Sequence, residues 1–237
     1  MIDRPQLDAI ASAVEGPERL AADPLGLVPR DAPPAAQELV AFLAAGLAFG
    51  NVVAIKKSVQ RVVAHLGRLD QLGREGHRWV RGDDLRVLVG RLTDLQGRHG
   101  SLGAAFMDGY VPGDMRRSLS TFAARLRDGL APTRGIVSLT SSPDGGSACK
   151  RLNLFMRWMV RQGGPDLGLW RDVAPRDLVV PLDVHVTRFA RRYGLTRRRT
   201  VDWRMAEEVT EGLRRLVPED PLRYDFAISH HGMTVGW

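Results

Sequence analysis

The sequence predicts an all-α fold, and three features of the chain support this prediction. Apolar residues recur at the three- and four-residue spacing of amphipathic helices over most of its length. Alternating apolar and polar residues, the pattern of half-buried strands, are rare, and the apolar run 178–180 before Pro181 is too short to predict a strand. Stretches rich in proline and glycine separate the helical runs. We therefore expect about ten helices joined by short loops.

The individual helices follow from the apolar runs in chain order. These runs span residues 39–47, 59–66, 85–92, 119–126, 152–159, 186–190 and 206–216. Thr200 or Asp202 is expected to cap the last of these helices, because a short polar side chain accepts hydrogen bonds from the first helical amides. The arginine run 197–199 just before it is interpreted either as a solvated loop or as a DNA contact. No linker divides the chain, so residues 1–237 are expected to form one helical unit.

The composition is that of a globular protein with a surplus of positive charge. The chain has 237 residues, of which 44% are hydrophobic, so wholesale disorder is excluded and a sizeable core is expected. Lys+Arg number 34 against 27 Asp+Glu, which gives a formal net charge of +7. Most of the excess is arginine. This suits bidentate contacts with phosphate, although a compositional bias towards arginine explains the charge equally well.

Cysteine content and hydropathy predict the compartment. Cys149 is the sole cysteine, so neither a disulfide within the chain nor a cysteine-ligated zinc or iron–sulfur site is possible. No signal-peptide pattern stands at the start, and the longest apolar stretch, 39–49, is too short to cross a bilayer. We expect a cytoplasmic, nucleoid-associated protein without a membrane partner or a cofactor.

His230 and His231 could ligate a metal, but Asp225 is their nearest acidic partner, so no metal site is predicted.

A glycine-rich turn precedes one of the predicted helices. Gly145, Gly146 and Ser147 lie just before the apolar run that starts at Leu152. Backbone amides at a helix N-terminus attract anions, and glycine permits close approach, so the turn is a candidate phosphate contact. The alternative is an ordinary turn between two helices.

Lys150 is the candidate nucleophile. It stands near the start of a helix with apolar neighbours and directly before Arg151. Shielding from water and a nearby positive charge both make a lysine lose its proton more readily, and a neutral amine can form a Schiff base. The alternative is an ordinary lysine whose stem packs on apolar surface while its amine reaches water.

Asp183 opens the next helix and combines two expected roles. As an N-cap it accepts a hydrogen bond from the Val186 region, and as a fixed carboxylate it can stabilise a cationic sugar. His185 is a candidate phosphate contact. The arginines that follow on the same helix are read either as DNA contacts or as a solvated face; they are Arg188, Arg191 and Arg192.

Two segments carry a resemblance to a known superfamily. Residues 150–153, Lys-Arg-Leu-Asn, and 181–186, Pro-Leu-Asp-Val-His-Val, are similar to the lysine and aspartate motifs of the helix–hairpin–helix DNA glycosylases. That superfamily includes endonuclease III and the 8-oxoguanine glycosylases. The resemblance implies a two-lobed fold, with one lobe from about 1–45 plus 185–237 and the other from about 46–184. The whole chain also resembles an uncharacterised family of bacterial proteins of this length, which implies no activity.

The resemblance assigns roles to several residues. It implies that Lys150 attacks the sugar as the Schiff-base nucleophile, that Asp183 is the catalytic carboxylate and that His185 contacts a phosphate. Asn51 either fills the gap left by an everted base or is simply a helix cap. The implied partner is double-stranded DNA with a damaged base, bound by a monomer, and strand cleavage can follow base removal.

Weaker candidates and alternatives remain open. Trp170 is a candidate for stacking on the base, and Cys149 either lines that pocket or fills the core. The hairpin 143–149 is longer than in the superfamily. A non-catalytic DNA-binding module of the same fold and a helical protein–protein scaffold are the alternative functions.

Overall fold

The computed structural model describes residues 2–14, 20–21, 23–72 and 76–237, and within them the protein is all-α, as predicted. The α-helices are α1 (Arg4–Ser12), α2 (Pro34–Gly46), α3 (Val52–Ala64), α4 (Gly82–His99), α5 (Leu102–Met107), α6 (Met115–Arg127), α7 (Arg134–Leu139), α8 (Lys150–Val160), α9 (Val184–Arg192), α10 (Trp203–Arg214) and α11 (Asp225–Thr234). Short 3₁₀ turns lie at Pro24–Leu27, Leu69–Leu72, Pro143–Gly145 and Pro175–Asp177. No strand occurs among the described residues; their β-type pairing is confined to isolated bridges.

Helix α2 lies at the centre of the molecule. Its residues are mostly apolar and buried on several sides, because α3, α4 and α8 all pack against it. Phe42 of α2 meets Phe155 of α8 edge to face, with ring centroids 5.1 Å apart. Near the other end of the chain, α11 packs against both α9 and α1. Helix α8 therefore packs on α2. The first residue of α8 faces the loop that leaves α2.

A buried carboxylate fixes the junction of α2 and α5. Glu38 has 2% of its surface exposed and accepts hydrogen bonds from the amides of Leu102 and Gly103 at 2.8 and 3.0 Å. The indole N–H of Trp170 donates to the same carboxylate at 2.7 Å. A buried charge is tolerated only when it is hydrogen-bonded in this way. The long loop between α8 and α9 is thereby tied to the core.

Helix α7 can approach α4 closely because its second residue is glycine. A Cβ built on Gly135 would lie 2.1 Å from Oδ2 of Asp84, whose carboxylate also accepts a hydrogen bond from Thr133. We expect Gly135→Ala to lower the free energy of unfolding by about 1–3 kcal/mol, since the carboxylate must move. Gly97→Ala is the matched control.

Gly97 is an exposed residue inside α4, and a Cβ there would meet no atom within 4 Å. The control should raise the free energy of unfolding by about 0.5–1 kcal/mol through helix propensity alone. Urea denaturation measures both changes. Equal effects of the two substitutions would contradict the close approach at Gly135.

The described helices include none with the combined length and apolar character needed to cross a bilayer.

Candidate functional site

The turn between α7 and α8 is built by its glycines and by Ser142. The Ser142 hydroxyl accepts from the amide of Asp144, and Gly146 takes a left-handed conformation with φ of 76°. The amides of Gly145 and Gly146 donate to the carbonyls of Ser142 and Pro143 at 3.2 and 2.8 Å. These two amides were expected to face a phosphate. In this structure both donate inside the turn, so that contact would require the turn to change.

The turn is anchored on the start of α10. The amide of Trp203 donates to the carbonyl of Gly146 at 3.2 Å, and Ser147 forms an isolated antiparallel bridge with Asp202. Of the two predicted caps, Thr200 and Asp202, it is Asp202 that caps α10, by accepting from the amide of Met205. A shallow surface groove runs past Gly146; its other lining residues are Arg116, Pro143, Asp144, Arg198, Asp202, Trp203 and Arg204. Gly146 of the hairpin therefore borders a groove of mixed charge.

Cys149 belongs to the interior of the turn. It has 1% of its surface exposed, and its thiol donates to the carbonyls of Ser141 and Ser147 at 3.3 Å each. Burial raises the pKa of this thiol to about 11, so it stays protonated at neutral pH. Its φ of 49° is left-handed, which is uncommon for a residue with a side chain. These contacts assign Cys149 to holding the turn rather than to lining a base pocket.

Lys150 is the first residue of α8 and is half-buried. Its amine donates to the carbonyl of Ala48 at 2.8 Å, which places it against the loop that leaves α2. Burial lowers the pKa of Lys150, and the charge of Arg151 lowers it further, while Asp183 is the largest opposing influence. The net effect is a lowered pKa. The amine therefore loses its proton more readily than an exposed lysine does.

Asp183 is fixed at the N-terminus of α9. One carboxylate oxygen accepts from the amide of Val186 at 2.7 Å, and the other accepts from the hydroxyl of Ser229 on α11 at 2.5 Å. Both oxygens are thus held by helices that pack on each other. Because its charge acts on the Lys150 amine, the fold brings these two side chains, far apart in sequence, into one electrostatic environment.

Two further acidic groups influence Lys150, and the sequence did not single them out for this role. Asp23 and Asp225 both act to raise its pKa. Asp225 is fully enclosed, and burial raises its own pKa to about 6 against the opposing charge of Arg157. Burial also acts to raise the pKa of Asp23, but the hydrogen bond with His230 and the donor amide of Leu25 outweigh it, so that pKa is lowered. Carboxylates from three separate segments thus act on the pKa of Lys150.

The C-terminal histidines are explained by packing. Nε2 of His230 lies 3.1 Å from Oδ2 of Asp23, and its ring stacks on Phe226 with centroids 4.0 Å apart. His231 packs against Trp237. Among residues 2–14, 20–21, 23–72 and 76–237, no group of three or more histidine, cysteine, aspartate or glutamate side chains is arranged to hold a metal ion.

The other predicted DNA contacts lie at the surface or at its edge. Asn51 is exposed and caps α3, since its side chain accepts from the amides of Val53 and Ala54 at 2.9 and 3.4 Å. Arg188 is exposed on α9. His185 is half-buried, and its Nδ1 is enclosed without a hydrogen-bond partner. Asn51 follows the Ala48 carbonyl by three residues, so its loop is the one that the Lys150 amine contacts.

Trp170 lies in the hydrophobic core. It has 6% of its surface exposed, stacks on Phe106 with centroids 5.5 Å apart and meets Phe155 edge to face at 5.2 Å. Its indole N–H is already bonded to Glu38. The sequence indicated Trp170 as a candidate for stacking on a base. In this structure its ring packs in the core, because its loop folds back over α5 and α8.

The comparisons with known proteins add a family but no activity. No curated protein and no solved structure matches the chain significantly. A family model described as "Protein of unknown function (DUF2400)" matches residues 23–234, which include every site residue discussed above. The chain therefore belongs to the DUF2400 family.

Proposed function

We propose that the protein is a DNA glycosylase of the helix–hairpin–helix type that removes a damaged base from double-stranded DNA. The observation that carries the proposal is the influence of the Asp183 charge on the shielded amine of Lys150. A lysine whose pKa is lowered by burial lies in the field of a carboxylate held by two hydrogen bonds. Nucleophile activation and stabilisation of a cationic sugar are the two tasks of such a reaction.

The proposed reaction uses each side chain for one task. The neutral amine of Lys150 attacks C1′ of the nucleotide while the bond from C1′ to the base breaks, and the base leaves with the bonding electrons. Asp183 stabilises the positive charge that develops on the sugar. Opening of the sugar ring and loss of a proton from the amine then give a Schiff base on Lys150. Elimination of the 3′ phosphate from this species would add AP lyase activity.

The surroundings of Lys150 support DNA as the substrate. The net charge of +7 favours phosphate binding, and exposed Arg188 follows Asp183 on α9. Asn51 is exposed at the end of the loop contacted by the Lys150 amine, which suits a residue that enters the duplex when a base is everted. Gly145 and Gly146 leave open space beside the hairpin for a DNA backbone.

A two-lobed arrangement is part of the proposal. Helices α1, α9 and α11 pack together and would form one lobe, while α4–α7 pack together and would form the other. Helices α2 and α8 pack on each other; α2 also packs on α4 of the second group, and Arg157 of α8 contacts Asp225 of α11 in the first. DNA would then lie across the face where α8 and α9 begin, with Lys150 and Asp183 beneath it.

A lesion panel tests the proposed function. The wild-type protein is incubated at low salt with duplexes that each carry one oxidised, alkylated or deaminated base, with and without borohydride. We expect base release from at least one duplex and a covalent protein–DNA complex after reduction of the Schiff base. Binding of these duplexes without base release and without trapping on any of them would contradict the proposal.

That contrary outcome corresponds to a second candidate, a non-catalytic DNA-binding module of the same fold. The observation that favours it is the hydrogen bond from the Lys150 amine to the carbonyl of Ala48. A lysine that makes this bond can stabilise the fold without taking part in any reaction. Such a module would still lose affinity steeply with rising salt, whereas a protein–protein scaffold would not.

Asp183→Asn separates the chemical role of this residue from its capping role. Asparagine caps a helix about as well as aspartate, so the free energy of unfolding should change little, whereas Asp183→Ala should lower it by about 1 kcal/mol. The loss of negative charge should slow single-turnover base release roughly 100-fold. An asparagine variant with the wild-type rate would show that the carboxylate only caps α9.

A further inference from the structure

Two half-exposed aromatic rings and three arginines form a cluster that the proposed chemistry does not use. Phe49 and Trp79 stack with ring centroids 4.5 Å apart and an interplanar angle of 29°. Arginine side chains lie over both rings. We call this set, Phe49, Arg78, Trp79, Arg134 and Arg151, the aromatic–arginine patch.

Contacts with Ser138, His77 and Arg151 fix the positions of the two rings of the patch. The indole N–H of Trp79 donates to the hydroxyl of Ser138 on α7 at 3.2 Å. Phe49 meets the buried ring of His77 edge to face at 4.7 Å, and Nε2 of His77 is bonded to the Phe49 carbonyl at 2.8 Å. The guanidinium of Arg151 lies 4.3 Å from the Phe49 centroid and also contacts Ser138. The stack is therefore preorganised and does not need to form when a ligand arrives.

The outer cations of the patch are placed differently from Arg151. Arg78 and Arg134 are exposed, with their guanidinium carbons 5.8 and 5.0 Å from the Trp79 centroid. Arg78 also has a left-handed φ of 55°, which costs energy for a residue with a side chain. An exposed guanidinium over an indole is a weak contact, so it can leave the ring for a phosphate and expose the ring face.

An aromatic surface rimmed by arginines fits a nucleotide better than it fits a peptide or a lipid. Bases stack on tryptophan regardless of sequence, because every base has a π face, while arginine binds the adjoining phosphate with two donors. A base inside a duplex offers no free face, so the occupant has to be an unstacked base. The patch is next to the place where such bases would arise, since Phe49 directly follows Ala48, the acceptor of the Lys150 amine.

We propose that the aromatic–arginine patch binds one unpaired nucleobase of the DNA by stacking it on Trp79, with Arg134 and Arg78 on the neighbouring phosphates. The inference rests on the proposed function for its substrate, double-stranded DNA opened at one nucleotide. It extends that function by assigning a second base-binding position outside the Lys150–Asp183 pair. An exposed Gly50 with φ of 101° lets the chain turn beside Arg78, so Phe49 of the patch and Asn51 lie on one loop.

Fluorescence of 2-aminopurine tests the stacking directly. The probe is a duplex with 2-aminopurine opposite a tetrahydrofuran abasic analogue, which leaves that base unpaired. We expect the wild-type protein to quench its emission, Trp79→Phe to retain the quenching, and Trp79→Leu to abolish it and weaken binding about 10-fold. Arg134→Ala should weaken binding several-fold, whereas Arg98→Ala, which removes the same charge from a residue paired with Asp94, should not.

The outcomes for the patch and for catalysis are separable. Undiminished quenching by a folded Trp79→Leu variant, or equal losses for Arg134→Ala and Arg98→Ala, would overturn the inference while leaving base release by Lys150 intact. Failure of the wild-type protein to bind the probe at low salt would also overturn it. If quenching depends on Trp79 but no lesion gives base release, the patch would still bind an unpaired base, and the proposed glycosylase activity would be wrong.

Discussion

Replacing Lys150 with glutamine is expected to slow single-turnover base release by roughly 10³-fold or more, since the reaction loses its nucleophile. The fold should persist, because the glutamine amide can still donate to the Ala48 carbonyl that the lysine amine contacts. The other two lysines of the chain, Lys56 and Lys57 on α3, serve as controls for the loss of a lysine amine. Lys57 is exposed, and Lys57→Gln should leave the rate unchanged. A Lys150→Gln variant with wild-type turnover would remove Lys150 from the mechanism.

The same lysine should impose a pH dependence on the rate. Burial and the charge of Arg151 lower its pKa, and the carboxylates of Asp183, Asp23 and Asp225 oppose them without cancelling the shift. The rate should therefore rise with pH and level off below the ordinary pKa of lysine, because the reactive form is the neutral amine. Removing the charge in Asp183→Asn should move this rise to lower pH. A rise centred at the ordinary lysine pKa would contradict the buried placement of the amine.

The second large effect concerns stability. Arg157 and Arg161 share the fully buried carboxylate of Asp166, and Arg157 also contacts buried Asp225 on α11 at 2.6 Å. We expect Asp166→Ala to lower the free energy of unfolding by about 3–5 kcal/mol, because it deprives two enclosed guanidinium groups of a shared partner. Urea denaturation gives this value. The loss should be accompanied by weaker catalysis, since α11 also carries Ser229, the partner of Asp183.

Asp220 provides the control for that network. Its side chain is 23% exposed and it contacts only Arg161 within the cluster, at 2.9 Å. Asp220→Ala should cost about 1 kcal/mol, because water can replace the lost carboxylate there. A loss at Asp166 no larger than the loss at Asp220 would show that burial does not govern the energetics of this cluster.

The fold class could be predicted from the sequence because long amphipathic helices show a clear period of apolar residues. The apolar runs through Phe42, Leu88 and Phe155 all lie in helices of the structure. A cap at Thr200 or Asp202 was also predicted, since capping depends on local backbone amides alone, and Asp202 forms it. Helices α5 and α7 were not among the predicted runs, because six residues contain too few apolar positions to establish a period.

The sequence indicated candidate site residues only where they belong to a local motif. Lys150 and Asp183 were singled out from their neighbours and from the superfamily resemblance, whereas Asp23 and Asp225 influence the same amine through tertiary packing that no local pattern encodes. The packing of Trp170 was not predicted from the sequence. Glu38, distant in sequence, supplies the buried acceptor for its indole N–H, and no local pattern encodes that contact.

The patch was missed for the same reason. Phe49 and Trp79 are separated by α3, and three helices, α4 to α6, lie between Trp79 and Arg134, so no local sequence pattern shows that these side chains stack. Only Asn51 was singled out in this region, and the structure shows it as an exposed cap. Local motifs thus indicated the two side chains that we propose to react, while the surface that we propose to bind DNA beside them depends on packing.

The most direct test of the central claim is peptide mapping, by mass spectrometry, of the covalent complex trapped by borohydride on damaged duplex DNA. The account predicts a reduced sugar adduct on the peptide that contains Lys150, and none on Lys56 or Lys57. An adduct on either of those lysines or on the N-terminal amine, or base release with no adduct at all, would contradict it.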